Sequence, residues 1–278
     1  MTWFNSMTQP AESAQLKSCC AAVYQSDFAR MLLGDSFHPG GQRLTALLGS
    51  KLGLTSAVRV LDVASGKGES AIFLARQFGC RVVGVDFGSQ NVLEANSRAA
   101  TAQIAHLVSF VQGDAERLDF PDADFDAVIC ECAFCTFPDK RAAASEFARV
   151  IRPGGQVGMS DLTRSAPLPD DLKGLLAWIA CIADARPVEE YAGYLASAGF
   201  DVTTVEPHNS AVAEMAHDVQ GRLLGIELMV KLKKLDLPGA DFEQAKDLAR
   251  AAVKAIQQGL LGYSLIVARL RGKENLCS

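Results

Sequence analysis

The stretch VRVLDVASGKGESAIFLARQFGCRVVGVDF, from Val58 to Phe87, decides how this chain folds. Val58–Val63 is an apolar run interrupted only by Arg59 and Asp62, which suits a strand covered on both faces. Ala64 to Gly68 is a glycine-rich turn, and Glu69–Phe78 carries apolar residues at helical spacing. Arg81–Val85 is a second apolar strand, closed by Asp86. A strand, a tight turn, a helix and a second strand ending in an acid make half of a nucleotide-binding α/β unit.

The alternation continues outward from this unit. Strands are expected at 108–112, 125–130 and 156–161, with helices at 89–103, opening on a Ser cap, and at 141–150. Continuous apolar strands predict a parallel sheet between two helical layers. Upstream, Leu16, Cys20, Val23, Tyr24, Phe28 and Met31 recur at helical spacing, the FHPGG loop at 37–41 interrupts them, and 42–52 resumes as a helix. Residues 1–12 read as disordered. Downstream, helices are expected at 168–184 and at 188–198, where Gly199 is a stop signal. A strand follows at 202–206, then a helical segment at 211–258 broken at LDLPGADF, and a last strand at 262–270. The expected fold is a doubly wound, seven-stranded α/β sheet. Residues 1–55 form an N-terminal helical cap, 56–165 the nucleotide core, and 166–278 the rest of the sheet with a helical lid inserted before the last strand. All three belong to a single domain overall.

Composition excludes several function classes. The formal net charge is -5 over 278 residues, whereas a nucleic-acid groove needs clustered Lys and Arg. The densest basic group, Lys231, Lys233 and Lys234, is too short for that role. No apolar run approaches the roughly 18 residues that span a bilayer, and the N-terminus lacks a secretory pattern. The expected location is the cytosol, where the eight cysteines would be thiols rather than a disulfide framework.

Motif by motif, residues 56–165 resemble the class I S-adenosylmethionine-dependent methyltransferases. The G-x-G-x-x-G fingerprint of dinucleotide folds is absent. The resemblance implies a Rossmann-like methyltransferase sheet, S-adenosylmethionine as cofactor and S-adenosylhomocysteine as product. Asp62 would orient the cofactor's ammonium group, with Gly66 and Gly68 letting the backbone approach it; Ala64 replaces the family's first glycine. Asp86, with Phe87 beside it, would accept the ribose hydroxyls. In GDAERL, Asp114 would meet the adenine amino group and Ala115 the ring, with Glu116 adjoining. Tyr24 is a candidate cofactor contact with the core as its alternative. Cys130 is placed among the cofactor contacts, with the sheet interior as its alternative. His38 in the HPGG loop reads as an exposed or locally hydrogen-bonded residue.

The acceptor side should follow the fourth strand, where VICECAFCTFPD places Cys130, Cys132 and Cys135 around Glu131. Cys132 and Cys135 have C-x-x-C spacing, which can hold one metal or metalloid. Glu131 is a candidate base. AQLKSCCAA, with Cys19 and Cys20, and the segment bearing Cys181 resemble two cysteine-bearing segments of the arsenite methyltransferases. That resemblance implies Cys20 or Cys19, together with Cys181, as thiolate ligands of trivalent arsenic, in keeping with the softness of both partners. The family's third ligand cysteine has no match between Asp201 and Leu276, and Cys132 or Cys135 would have to replace it. No resident metal is expected. Cys80 reads as structural and Cys277 as a frayed end.

Three readings remain open at this point. The chain methylates a small molecule, with a thiol-bound metalloid as the sharpest form. Alternatively it methylates carbon or oxygen of a quinone-like apolar metabolite, resembling the ubiquinone-menaquinone biosynthesis methyltransferases, under a lid of the apolar helices. Or it is a thiol-rich sensor that binds the cofactor without turnover. The partner in each case is a small molecule or metalloid, with no nucleic acid, no membrane and no oligomeric state specified.

Overall fold

A computed structural model of the protein describes residues 10–25, 27–34, 37–173, 177, 181–237 and 241–272. Three helices come first: α1 (Pro10–Tyr24), α2 (Asp27–Leu33) and α3 (Gly41–Lys51). The alternating part follows with β1 (Arg59–Val63), α4 (Glu69–Phe78), β2 (Arg81–Asp86), α5 (Ser89–Thr101), β3 (Val108–Gln112), β4 (Phe125–Glu131), α6 (Lys140–Val150) and β5 (Ile151–Arg164). The last part holds α7 (Val188–Ser197), β6 (Phe200–Pro207), α8 (Asn209–Lys231), α9 (Phe242–Gln257) and β7 (Leu261–Leu270).

The seven strands form one sheet in the order β3-β2-β1-β4-β5-β7-β6. β1 to β5 pair in parallel, while β7 runs antiparallel to both β5 and β6. Two apolar layers cover its faces, one around Leu61, Val128 and Phe147, the other around Val60, Leu74 and Ile129. Neighbouring strand residues thus bury opposite sides, which is why the strands read as continuous apolar runs. Strand order reverses between β1 and β4, and open α/β sheets bind ligands at the carboxyl ends of strands beside such a reversal. Asp62, opposite Ile129 on β4, stands near that end.

Several expectations are corrected. Ser89 opens α5 as its first residue and does not cap it; Gly88 is the cap, and its N–H donates to Asp86 Oδ1 at 2.8 Å. The side-chain cap is instead on α6, where Asp139 accepts from Ala142 N–H at 2.9 Å. β5 is far longer than 156–161, because it begins at Ile151 before the PGG turn. The helix expected at 168–184 is not continuous. Among its described residues, Asp170–Leu172 form a short 3-10 turn, Ala177 is helical, and Cys181–Asp184 are irregular. Residues 174–176 and 178–180 of that segment lie outside the described residues, as do 1–9 and Cys277.

Candidate active site

The turn after β1 is shaped by backbone conformation. Ala64 takes φ 59°, a left-handed conformation that costs an L-residue about 1–2 kcal/mol and a glycine nothing. Gly66 has φ +52°, and a Cβ there would face open space apart from Phe37 Cδ2 at 3.9 Å. This is the cradle a ligand can approach. Gly68 serves packing instead. A Cβ on it would lie 2.5 Å from Phe110 Cζ, and it is not on the cavity wall.

A first cavity opens above this turn, lined by Asp62, Ala64, Gly66, Asp86 and Phe87 on one side. Asp114, Ala115 and Glu131 line it farther along, and Cys20, Tyr24 and His38 from the N-terminal helices and loop. Asp62 is buried, and its Oδ2 has no hydrogen-bond partner in the protein. Burial, then the negative charges of Glu131 and Asp86, push its carboxyl well above the usual carboxylate range. Three buried or nearly buried acids thus face one space whose missing component is positive charge. Asp86 is better satisfied. It accepts from Gly66 N–H and Gly88 N–H, both at 2.8 Å, and from Asn91 Nδ2 at 3.1 Å. Burial still raises its carboxyl above the usual value, against those three donors.

Asp114 is held from the N-terminal side. Lys17 Nζ on α1 donates to its two oxygens at 2.8 and 3.0 Å and also to Glu116 Oε2. Glu116 Oε1 accepts from Asp139 N–H at 2.8 Å, so Glu116 ties α1 to the start of α6 and stays off the cavity wall. Nothing in the local pattern around Lys17 marks it, since its partners lie about a hundred residues away.

Glu131 ends β4 inside a buried polar cluster. Ser70 Oγ donates to it at 2.6 Å and Thr45 Oγ1 at 3.0 Å, while His38 Nε2 lies 3.6 Å from its Oε2. His38 is 8% exposed, so the exposed-loop reading is overturned: the HPGG turn folds it inward. Thr45 and Ser70 are site residues that the sequence did not single out.

Cys130 is fully buried in the sheet core and lies off the cavity wall, so its alternative, the interior, is what the structure shows. The thiols that meet are Cys132, Cys135 and Cys181. Cys181 Sγ lies 3.4 Å from the Cys132 carbonyl oxygen and 3.3 Å from Tyr24 Oη. The neighbouring side chains, first Cys132 and then Cys135, hold its thiol well below the usual range despite burial. Cys20 lines the first cavity, Cys181 lines a second one, and Cys19 lines neither. The trio Cys19, Cys20 and Cys181 therefore does not share a cavity. Among the described residues no group of three His, Cys, Asp or Glu side chains is arranged to hold a metal ion.

The second cavity, about 220 Å³, is bounded by α2, α8 and α9 with side chains such as Phe28, Leu32, Val219 and Leu248. Its wall is almost wholly apolar, and it shares Tyr24, Phe37 and Cys132 with the first. A charged cavity and an apolar cavity thus meet across three side chains. No helix among the described residues is long and apolar enough to cross a membrane.

Residues 60–155 match the model of a methyltransferase domain family. The chain is 30% identical over 267 residues to 27-O-demethylrifamycin SV methyltransferase of Amycolatopsis mediterranei, covering 88% of this chain and 93% of that one. It is 31% identical to an arsenite methyltransferase of Halobacterium salinarum over 55% of this chain and 39% of that one. Among solved structures, phosphoethanolamine N-methyltransferase 2 of Haemonchus contortus with S-adenosyl-L-methionine superposes with a TM-score of 0.76 at 19% identity, covering 92% of this chain and 60% of that one. The chain belongs to the class I S-adenosylmethionine-dependent methyltransferases. It is an enzyme that methylates small molecules with S-adenosylmethionine as donor. The residues present fit that cofactor: a buried carboxylate with one oxygen, Asp62 Oδ2, unpartnered suits its ammonium, and the open turn at Gly66 leaves room beside it.

Proposed function

We propose that this enzyme methylates an apolar organic small molecule held in the second cavity. The observation that carries the reading is the apolar chamber joined to the cofactor cavity through Tyr24, Phe37 and Cys132. Such a wall offers an acceptor shape and desolvation but few polar anchors. S-adenosylmethionine supplies an electrophilic methyl group on a cationic sulfur, and the protein's contribution to its transfer is mainly alignment, worth roughly 7–11 kcal/mol. Asp62 would hold the ammonium, Asp86 the ribose and Asp114 the adenine edge, with Lys17 yielding part of its hold on Asp114. Where the acceptor is a hydroxyl, a base is needed near the reacting oxygen. His38, which lines the first cavity 3.6 Å from Glu131, would take that proton.

The convergence of Cys132, Cys135 and Cys181 favours a second reading, in which the acceptor is a thiophilic metalloid such as arsenite. Size favours the first: the chamber is far larger than a bare oxyanion needs. Labelled S-adenosylmethionine offered with hydrophobic quinols, phenols, arsenite and methylarsenite separates the two. On the first reading quinols or phenols are methylated, and Ala249→Phe, which narrows the chamber, lowers that turnover at least tenfold while binding of S-adenosylhomocysteine holds. Arsenical turnover that vanishes in Cys181→Ser, with no organic turnover, would replace it by the second.

A further inference from the structure

Cys132 and Cys181 face one another in chemistry that methyl transfer to an apolar acceptor leaves unused. Cys132 follows β4 and Cys181 lies 49 positions farther along the chain, yet the fold brings the two residues together. The Cys181 sulfur reaches the Cys132 carbonyl oxygen at 3.4 Å. Both residues hold left-handed backbone conformations, φ 52° and 63°, which non-glycine residues keep only where their surroundings impose them. Both line the second cavity. Cys135, by contrast, lies on neither cavity wall and its backbone is tied to Asp161 Oδ2 at 2.9 Å.

We propose that Cys181 and Cys132 are a redox modification site, converted to a reversible disulfide by a small hydroperoxide that enters the second cavity. Cys181 is the attacking sulfur. The Cys132 and Cys135 side chains, the Tyr24 hydroxyl and the nearby Lys140 charge favour its thiolate, the form that reacts. With hydrogen peroxide, the thiolate attacks one oxygen, the O–O bond breaks, and a Cys181 sulfenic acid and hydroxide result. The Cys132 sulfur then attacks the sulfenic sulfur. The S–O bond breaks, the S–S bond forms, and the oxygen leaves as water with the Cys132 proton. Two thiols have lost two electrons, one peroxide has gained them, and two waters are formed once the hydroxide takes up the proton that Cys181 released. The new bond alters the Cys181 sulfur that contacts the Tyr24 hydroxyl and rebuilds the wall shared by the cavities. The Asp62 and Asp86 end of the first cavity is untouched. The site rests on the reading of an apolar organic acceptor, because a metalloid acceptor would occupy the same thiols.

The test treats the reduced native protein with equimolar hydrogen peroxide, quenches remaining thiols by alkylation and maps the peptides. The expected result is a Cys132–Cys181 linkage with a mass loss of about 2 Da that dithiothreitol restores. Binding of S-adenosylhomocysteine to the oxidised protein should change by less than about threefold. Cys132→Ser should stop at a Cys181 sulfenic acid trapped by dimedone, and Cys181→Ser should give neither product. Cys80, whose thiol burial pushes up to about 11, is the internal control and should remain reduced. A wild-type protein that keeps its mass, a linkage elsewhere, or Cys80 oxidising as fast as Cys181 would overturn the proposal. The wild-type map decides the matter even where a serine variant fails to fold.

Discussion

The two cavities are built on different principles. The first is lined by charge: Asp62, Asp86, Asp114 and Glu131 crowd around a glycine turn, with Asp62 Oδ2 left unpartnered. The second is read by shape, with aliphatic and aromatic side chains from α2, α8 and α9 and a cluster of thiols at its edge. On the proposed reading, donor recognition would rest on residues at the sheet's strand ends, and acceptor recognition on helices added around it. That division explains how relatives named for a rifamycin precursor and for arsenite share one core.

The largest test of this contrast strikes the thiol side. Lys140 is 4% exposed and donates to the carbonyls of Cys135 and Phe137 at 2.8 and 3.0 Å and to Asp184. Lys140→Ala leaves Asp184 with Arg186 as its remaining cation but strips the buried Cys135 and Phe137 carbonyls of their donor and frees the loop that carries the thiols, so urea unfolding should show a loss of about 2–4 kcal/mol. Cofactor affinity in the folded fraction should be nearly unchanged.

On the charged side, Asp62→Ala should weaken S-adenosylhomocysteine binding about 10- to 100-fold by calorimetry, the loss of one or two hydrogen bonds to a charged group. Because the empty protein holds the Asp62 carboxyl raised, binding of the cationic cofactor should release a proton. Wild-type affinity should then tighten as pH rises, and Asp62→Ala should lose that slope.

Asp161 lies between the two regions, with Cys135 N–H on one oxygen and Leu162 N–H on the other. Burial, then the neighbouring Cys181 charge, push it up to about 7. A carboxyl raised in the folded state gives stability that is present below its unfolded value and lost as pH climbs through about 7. Wild-type stability should therefore fall by about 2 kcal/mol between pH 5 and 7.5 on this account. Asp161→Asn should flatten that slope in urea titrations. The smallest effect is expected at the turn itself: Ala64→Gly removes left-handed strain and should raise stability by about 1 kcal/mol in the same assay.

What the sequence disclosed follows the range of the interactions. α4 was legible to the residue, because its glycine turn, amphipathic spacing and terminal Gly79 are all local signals. The acids at the ends of β1 and β2 were legible because strand ends in such sheets have one functional side. His38 was not, since its burial comes from Ser70, Thr45 and Glu131, up to 93 positions away. The Cys132 and Cys135 spacing was visible, yet Cys181 joins them through a segment read as continuous helix. The arsenic ligand set expected from resemblance paired Cys20 with Cys181, and the fold lines different cavities with the two.

The placement of β7 sets a condition on how this enzyme is made. The strand lies inside the sheet, between β5 and β6, and its side chains reach both apolar layers. A ribosome must therefore have synthesised the chain past Leu270 before the sheet can close. Until then β5 and β6 each present an open edge, and a nascent chain stalled after α9 exposes two adhesive strands to its neighbours.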